Sequence, residues 1–272
     1  MRAVGLYEYL PIADESSLQD VELAKPEATG RDLLIAVKAI SVNPVDTKVR
    51  APKEGIETTP RVLGWDAAGT VVSVGEAVTQ FEVGDDVYYA GDITRPGTNS
   101  EFHLVDERIV GRKPKTLNFA EAAALPLTSI TAWEALFDRL KISSIGEDAG
   151  KSLLIIGGAG GVGSIAIQLA KQVAKLTVIA TASRPETITW CQELGADKIV
   201  NHREDLAQQV EQADYILCLN STDMHWLAMT KIIRPQGMIC TIVENENFLD
   251  MSPLKSKSAG FVWEFMFTRT MY

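Results

Sequence analysis

The sequence has few cysteines, and no two of them lie close together. Its 272 residues contain three, Cys191, Cys218 and Cys240. An odd number without a close pair excludes a small disulfide-stapled fold and indicates a reducing compartment. We therefore expect three buried thiols and a cytoplasmic protein.

Basic residues are too few to form a nucleic-acid surface. Lys and Arg total 26 against 36 Asp and Glu, which gives a formal net charge of -10. No basic block offsets this charge, so nucleic-acid binding is disfavoured. Apolar residues make up 46% of the chain, which excludes intrinsic disorder and is typical of globular proteins. The length suggests two domains, or one large one.

We also expect neither a secretion signal nor a membrane span. Residues 1–17 have a single early arginine, no long apolar core and an acidic end, unlike a signal peptide. Residues 152–170 form an uncharged run of 19 residues, but five glycines inside it would weaken a spanning helix. We interpret this run as a buried strand, a glycine turn and the start of a buried helix.

Two patterns divide the chain and predict an α/β fold. Residues 1–125 read as short strands separated by Gly, Pro, Asn and Asp, which suggests a partly open barrel. Over residues 126–260, after a helical joint, apolar strands alternate with helices, which predicts a doubly wound parallel sheet of the Rossmann type. In residues 261–272, alternating aromatics from Phe261 to Phe267 predict an edge strand, either buried by its own domain or paired with a second subunit.

The strongest chemical signal is the glycine-rich segment 157–163. It contains G-x-G-x-x-G between an apolar strand and a helix, the context in which this motif binds a dinucleotide. Its glycines allow a tight turn and a close approach to a pyrophosphate, and the helix N-terminus offers free N–H groups. The predicted cofactor-binding residues here are Gly158, Gly160, Gly161, Val162 and Gly163.

The choice of dinucleotide depends on the end of the next strand. NAD-binding domains place Asp or Glu about 20 residues after the loop to hold the ribose 2′-hydroxyl. Here that strand ends as Thr181-Ala182-Ser183-Arg184, without a carboxylate. Ser183 and Arg184 could instead bind a 2′-phosphate, and His202 could approach the same phosphate. We therefore predict NADP(H); the alternative is that Arg184 is a solvated helix-capping residue.

Together with the glycine loop, three further stretches resemble a known family. The chain resembles the medium-chain dehydrogenase/reductase superfamily in its quinone-oxidoreductase branch, and in particular its zinc-type alcohol dehydrogenase-like group. The motifs span both predicted domains and occur in the family's order. The stretches are Ser41-Val42-Asn43-Pro44-Val45-Asp46, Val62-Leu63-Gly64-Trp65-Asp66-Ala67-Ala68-Gly69 and Leu125-Pro126-Leu127-Thr128.

The resemblance implies a GroES-like catalytic domain joined to a Rossmann domain, with the nicotinamide in the cleft between them. It also implies a hydride-transferring reductase that forms a homodimer or tetramer. In similar proteins the residue matching Asn43 lies near the nicotinamide ribose or the substrate, and a joint-helix threonine, here Thr131, contacts the cofactor. Relatives continue several dozen residues further, so the resemblance also implies that this chain is an incomplete form.

Zinc does not follow from the residues, despite the family name. Catalytic zinc needs three protein ligands and one open position. In zinc-dependent relatives a Cys stands at the position of Asn43, and His and Glu stand at those of Trp65 and Asp66. Asp46 and Asp66 alone cannot make a soft N/S site, and four closely spaced Cys for a structural zinc are lacking. We therefore predict no metal ligands.

These residues favour hydride transfer from NADPH to a small-molecule acceptor, a quinone or an α,β-unsaturated carbonyl. Asn43 is the candidate donor to the developing enolate oxygen. Trp65 is a candidate wall of an aromatic cleft, or equally a plain core residue. Two alternatives stay open: an NADPH-binding redox sensor with little turnover, and a zinc-dependent alcohol dehydrogenase.

Overall fold

The chain divides into two units in the computed structural model, which describes residues 1–272. The first unit comprises Met1–Leu127 and Phe267–Tyr272, and the second comprises Thr128–Met266. The first crossing therefore lies two residues after the boundary that the sequence predicts. The last six residues return to the first unit.

Antiparallel strands build the first unit. They are β1 (Arg2–Glu8), β2 (Gln19–Glu22), β3 (Asp32–Ser41), β4 (Ile56–Val62), β5 (Asp66–Val74), β6 (Asp86–Ala90), β7 (Phe102–Asp106) and β8 (Gly111–Arg112). One sheet has the order β2-β1-β4 and the other the order β7-β3-β5-β6-β8. Two short helices accompany them, α1 (Pro44–Arg50) and α2 (Phe119–Ala123).

The core of the first unit lies on one face of the five-stranded sheet. Leu33 and Ile35, alternate residues of β3, are fully buried and belong to this core. Leu34 between them is also buried, at 4% exposed, but lies outside this core cluster. Leu33 and Ile35 pack with Val71, Val87 and Tyr89 from the neighbouring strands. This packing fixes the register of β3 against β5, so that the first residue of β5 lies opposite Ser41, close before α1.

The chain enters the second unit within helix α3 (Pro126–Trp133), which continues as a π-helix over Glu134–Arg139. The remaining elements alternate strand and helix. They are β9 (Ser152–Ile156), α4 (Gly161–Gln172), β10 (Thr177–Thr181), α5 (Pro185–Glu193), β11 (Lys198–Val200), α6 (Leu206–Gln209), β12 (Ala213–Cys218), α7 (Thr222–Ile232), β13 (Ile233–Thr241), α8 (Ser252–Lys255) and β14 (Gly260–Trp263).

The six strands of the second unit form one parallel sheet in the order β11-β10-β9-β12-β13-β14. Counted from β9, this is the order 3-2-1-4-5-6 of a doubly wound Rossmann fold, so the predicted fold class is confirmed. Both faces are covered: Leu153 and Ile155 of β9 belong to one core cluster, Leu154 and Ile156 to the other. This double burial explains why β9 is apolar at nearly every position.

The predicted aromatic strand over residues 261–267 is too long. The strand β14 ends at Trp263. Glu264 then turns inward, where its carboxylate accepts a hydrogen bond from Arg139 Nε at 2.7 Å. Phe267 is 1% exposed and belongs to the first unit. It begins the return segment, which ends in the short helix α9 (Thr268–Met271). The alternation of aromatics therefore spans two different environments rather than one strand.

Two features concern the chain as a whole: the three cysteines, which lie inside the protein, and the helices. Cys191, Cys218 and Cys240 are all free and buried, as expected. Burial raises the pKa of each thiol, that of Cys218 to about 11. None of the helices combines the length and the apolar character that crossing a bilayer would demand.

Candidate functional site

The glycine loop lies between β9 and α4 and is closed by backbone geometry. Gly157 has φ of +90°, a conformation that favours glycine, and its N–H donates to Thr181 Oγ1 at 2.9 Å. A Cβ on Gly163 would lie 2.5 Å from the carbonyl oxygens of Gly157 and Gly158. The loop can therefore pack on the first turn of α4 only if residue 163 has no side chain.

The mouth of this loop is exposed and lies at the N-terminus of α4. Gly160 is the N-cap of α4 and has no side chain to cap the helix. The first N–H groups of a helix have no intrahelical partner. Gly160 and Gly161 are exposed, Val162 is half-buried, and a Cβ on Gly160 would meet nothing closer than 3.5 Å. These residues fit the pyrophosphate of a dinucleotide, since the helix N-terminus attracts its negative charge.

The proposed 2′-phosphate residues follow two neighbouring strand ends. Thr181, the last residue of β10, pairs with Val200, the last residue of β11. Ser183 and Arg184 follow the first strand and His202 follows the second, so all three leave the same edge of the sheet. The Arg184 side chain is 64% exposed and its Nε lies 2.9 Å from Oε1 of Glu186.

His202 is half-buried, and its Nδ1 is buried without a hydrogen-bond partner. Burial, with a smaller contribution from the Arg203 cation, lowers the pKa of His202 below its usual range. The ring is therefore neutral at pH 7 in the absence of an anion. A phosphate beside it would supply a partner for the buried nitrogen.

In the first unit, Asn43 lies in a buried polar cluster with two carboxylates. Asn43 Nδ2 donates to Asp66 Oδ2 at 2.8 Å, and the backbone N–H of Asn43 donates to Asp46 Oδ2 at 2.7 Å. The second oxygen of Asp66 accepts the backbone N–H of Leu127 at 2.8 Å. Asn43, Asp46 and Asp66 are 6%, 7% and 0% exposed. Side chain and backbone of Asn43 are thus each held by a different carboxylate.

Burial dominates the electrostatics of these carboxylates. It raises the pKa of Asp66 to about 7, although the hydrogen bonds from Asn43 and Leu127 favour the ionised form, and the nearby Asp46 adds to the rise. Burial also raises the pKa of Asp46. The Asp66 carboxyl can therefore change its protonation state near neutral pH.

The other two candidates, Trp65 and Thr131, are both buried. Trp65 is 1% exposed, donates its indole N–H to the carbonyl of Asp92 at 3.1 Å and packs edge-on against Phe267 with ring centroids 6.0 Å apart. These are the contacts of a buried side chain; the role of Trp65 as a wall of an aromatic cleft stays a prediction. Thr131 is 5% exposed and lies on α3, in the second unit.

Two protein families match this chain. Residues 29–126 match the family described as "Alcohol dehydrogenase GroES-like domain", and residues 161–262 match the family described as "Zinc-binding dehydrogenase". The chain belongs to the medium-chain dehydrogenase/reductase superfamily. It is therefore an oxidoreductase, and the GroES-like part of the predicted fold is confirmed.

Individual members of the superfamily are similar in sequence over all or most of this chain. A zinc-type alcohol dehydrogenase-like protein of Staphylococcus aureus is 46% identical over 100% of this chain and 82% of its own length. A solved structure from Rhizobium etli, titled a putative zinc-dependent alcohol dehydrogenase, is 52% identical with a TM-score of 0.94, over 100% of this chain and 80% of that one. An NADPH-dependent alkenal/one oxidoreductase of Arabidopsis thaliana is 34% identical over 82% of this chain and 61% of its own length.

The residues of this superfamily member do not fit a catalytic zinc ion. No group of three or more His, Cys, Asp or Glu side chains in the structure could hold a metal. The Asn43 amide is bonded to Asp66, and the Trp65 indole to Asp92. Neither side chain is a zinc ligand in ordinary sites, which use thiolate, imidazole and carboxylate.

Three residues that hold the site of this dehydrogenase/reductase chain in place are not among the predicted site residues. Thr181 anchors the loop through its hydroxyl, Thr128 packs against the start of α4, where a Cβ on Gly161 would lie 2.9 Å from its Cγ2, and Asp66 holds Asn43. Thr128 and Asp66 lie within the family stretches, which was the available signal. Thr181 carries no signal of its own, because a strand-end threonine is common.

Proposed function

We propose that this protein is an NADPH-dependent oxidoreductase that transfers a hydride to a quinone or an α,β-unsaturated carbonyl without catalytic zinc. The observation that carries the proposal is the open glycine loop at the start of α4, with Ser183 and Arg184 at the end of the next strand. The Arabidopsis relative, named for NADPH and for alkenals and alkenones, supports the same chemistry. A quinone is a doubly conjugated enone, so hydride addition develops negative charge on a carbonyl oxygen in both acceptor classes.

The preference for NADPH over NADH rests on charge. Arg184 is an exposed cation, and it forms an ion pair with Glu186, which is also exposed. A 2′-phosphate brings about two negative charges and competes well for the guanidinium, whereas a ribose hydroxyl does not. Ser183 and the buried Nδ1 of His202 would complete the phosphate contacts.

The reduced nicotinamide, when bound, supplies the hydride and its electron pair. The protein's task is to hold the acceptor and to stabilise the charge that develops on its oxygen. Asn43 retains a second side-chain N–H beyond the one given to Asp66, and we assign it that donor role. The proton that completes the product would come from water.

The side chains present do not fit a catalytic zinc ion, and this favours reduction of an acceptor over oxidation of an alcohol. Oxidation of an alcohol without a Lewis acid needs a proton acceptor at the hydroxyl. Asn43 cannot accept a proton. Asp66 has no exposed surface and bonds Asn43 and Leu127 through its two oxygens, so we assign it no contact with a substrate hydroxyl. Reduction of an electron-poor acceptor needs no such base, which is why we propose it over a zinc-dependent alcohol dehydrogenase.

Consumption of NADPH with a panel of quinones and enones tests the proposal, with NADH and simple alcohols as comparison. We expect turnover with NADPH and an enone or quinone, and weaker binding of NADH. Arg184→Glu should weaken NADPH binding by about 100-fold or more, because it removes a charge-assisted contact and adds repulsion. Arg234→Ala is the matched control, since this arginine pairs with Asp214 at the start of its strand.

Three outcomes would contradict parts of the proposal. Tighter binding of NADH by the unchanged protein would reject the NADPH assignment. Tight NADPH binding without consumption by any acceptor would favour the sensor alternative. Stoichiometric zinc in protein purified without chelators would favour a zinc-dependent dehydrogenase.

A further inference from the structure

Asp66 is a buried carboxylate to which the proposed reaction gives no role, yet it touches the residue that the reaction needs most. It is the first residue of β5 and has no exposed surface. Its two oxygens accept one N–H each, from the Asn43 side chain and from the Leu127 backbone, both at 2.8 Å. A buried carboxylate is costly unless such bonds satisfy it.

The bond to Asn43 decides which way its amide points. In the structure the amide nitrogen faces Asp66 and donates to it. The ionised carboxylate, which predominates above about pH 7, can only accept, so it holds the amide nitrogen toward Asp66 and the amide oxygen away. The backbone of Asn43 cannot adjust, because its N–H is held by Asp46 at 2.7 Å. The second N–H of the amide then has one fixed direction, set by residue 66.

We propose that Asp66 is a positioning residue that orients the Asn43 amide so that its second N–H meets the carbonyl oxygen of the acceptor. This inference rests on the proposed function and assigns a residue that the reaction uses indirectly. Leu127 is the second residue of α3, so the same carboxylate also holds the start of that helix.

Asp66→Asn tests the proposal because it keeps the hydrogen bond from the Leu127 N–H and reverses the donor and acceptor of the hydrogen bond with Asn43. The new amide oxygen can still accept the Leu127 N–H, but its nitrogen then faces Asn43. Two amide NH2 groups are both donors and cannot hydrogen-bond to each other. The Asn43 side-chain amide must therefore rotate so that its oxygen, rather than its nitrogen, faces residue 66. A donor displaced by this rotation should lower kcat about 10- to 100-fold. The Kd for NADPH should change less than kcat, because the glycine loop, Ser183 and Arg184 are intact and only the nicotinamide-ribose contact that the resemblance implies for Asn43 is affected.

A merely structural role predicts a different pattern in a double-mutant cycle. If Asp66 acts through Asn43, Asn43→Ala lowers kcat, and adding Asp66→Asn lowers it no further. If Asp66 only supports the fold, the two effects multiply. Glu107→Gln is the matched control: Glu107 is buried in the same unit and holds Arg31, Thr79 and Gln80. It should lower the melting temperature and leave kcat unchanged.

A second variant covers the case in which Asp66→Asn does not fold. Asn43→Gln leaves Asp66 intact and keeps an amide, but the extra methylene moves it out of the position that Asp66 sets. We expect kcat to fall as far as in Asn43→Ala. Normal kcat in Asn43→Gln or in folded Asp66→Asn, or multiplying effects in the cycle, would overturn the inference while the unchanged protein still reduces acceptors. A protein inactive with every acceptor would overturn the proposed function as well.

Discussion

Arg184 and Glu186 meet at the start of α5, and their ion pair competes with the proposed phosphate. Both side chains are about two-thirds exposed, so the pair is weak, about 0.2–1 kcal/mol. Glu186→Gln should free the guanidinium and tighten NADPH binding by up to about fivefold. Affinity for NADH should not change, because that cofactor has no 2′-phosphate. Titration of both cofactors measures this, and an equal gain for the two would contradict a phosphate contact at Arg184.

Glu264 shows how one buried residue makes stability depend on pH. Burial, with Glu134 beside it, raises the pKa of Glu264 to about 7, against the pull of Arg139. Between the ordinary glutamate range and pH 7 the folded protein therefore binds more protons than the unfolded chain. Its free energy of unfolding should fall as pH rises from about 5 to about 7.

Glu264→Gln should reduce this pH dependence, because an amide does not titrate; the contribution of Asp66, whose pKa burial also raises to about 7, remains. Melting temperatures measured from pH 5 to pH 8 give the slope, with about 2–4 °C expected per kcal/mol for a unit of this size. Glu193→Gln, an exposed position in the same unit, serves as the control and should keep the original slope. A slope that is unchanged in Glu264→Gln would assign the pH dependence to other groups.

At the scale of elements, two glycines of the loop between β9 and α4 are needed for different reasons, one for packing and one for ligand access. Gly163 is needed for packing, since its Cβ would lie 2.5 Å from two carbonyl oxygens. Gly160 is needed for access: a Cβ there would meet no protein atom closer than the Gly157 carbonyl oxygen at 3.5 Å, so the space beside it is open to a ligand. Gly163→Ala should therefore destabilise the second unit by about 1–3 kcal/mol. Gly160→Ala should keep the fold and weaken NADPH binding, because a methyl group enters the space that the pyrophosphate would fill.

Urea unfolding and NADPH titration of both variants measure this division. Without the clash, alanine inside a helix would stabilise it by about 0.5–1 kcal/mol relative to glycine. A Gly163→Ala protein more stable than the original would therefore contradict the close packing of loop and helix. A Gly160→Ala protein with normal NADPH affinity would place the pyrophosphate elsewhere.

At the scale of the whole molecule, the chain leaves the first unit at residue 127 and returns to it at residue 267. Phe267, 1% exposed, anchors this return against Trp65. Phe267→Ala should cost about 3–5 kcal/mol, since it opens a cavity in the core of the first unit. Phe265→Ala, at a position 45% exposed, should cost much less and is the control.

Hydrogen exchange resolved by residue can locate the effect of Phe267→Ala. Amide protection should fall in β4 and β5, which flank Trp65, and stay unchanged in β9 and β12 of the second unit. Equal losses in both units would show that the return segment stabilises the chain as a whole.

The oligomeric state stays a prediction from the family resemblance.

Local patterns alone determined much of this protein. The alternation of apolar strands and helices predicted the parallel sheet, because a strand buried on both faces must be apolar throughout. The glycine spacing predicted the loop, because few other residues allow such a turn beside a helix. These signals are local, so they survive in a single sequence.

The tertiary structure decided what depends on residues far apart in the chain. Asp66 holds Asn43 across 23 positions and Leu127 across 61, and no local pattern records such a bond. The alternation of aromatics from Phe261 predicted one strand. In the structure the strand ends at Trp263, Glu264 is buried and bonded to Arg139, and Phe267 belongs to the first unit. Trp65 could be a cleft wall or a core residue by sequence, and only the packing around it showed burial. Composition and periodicity report which residues must be buried, whereas the partner that each buried polar group finds is settled only when distant segments meet.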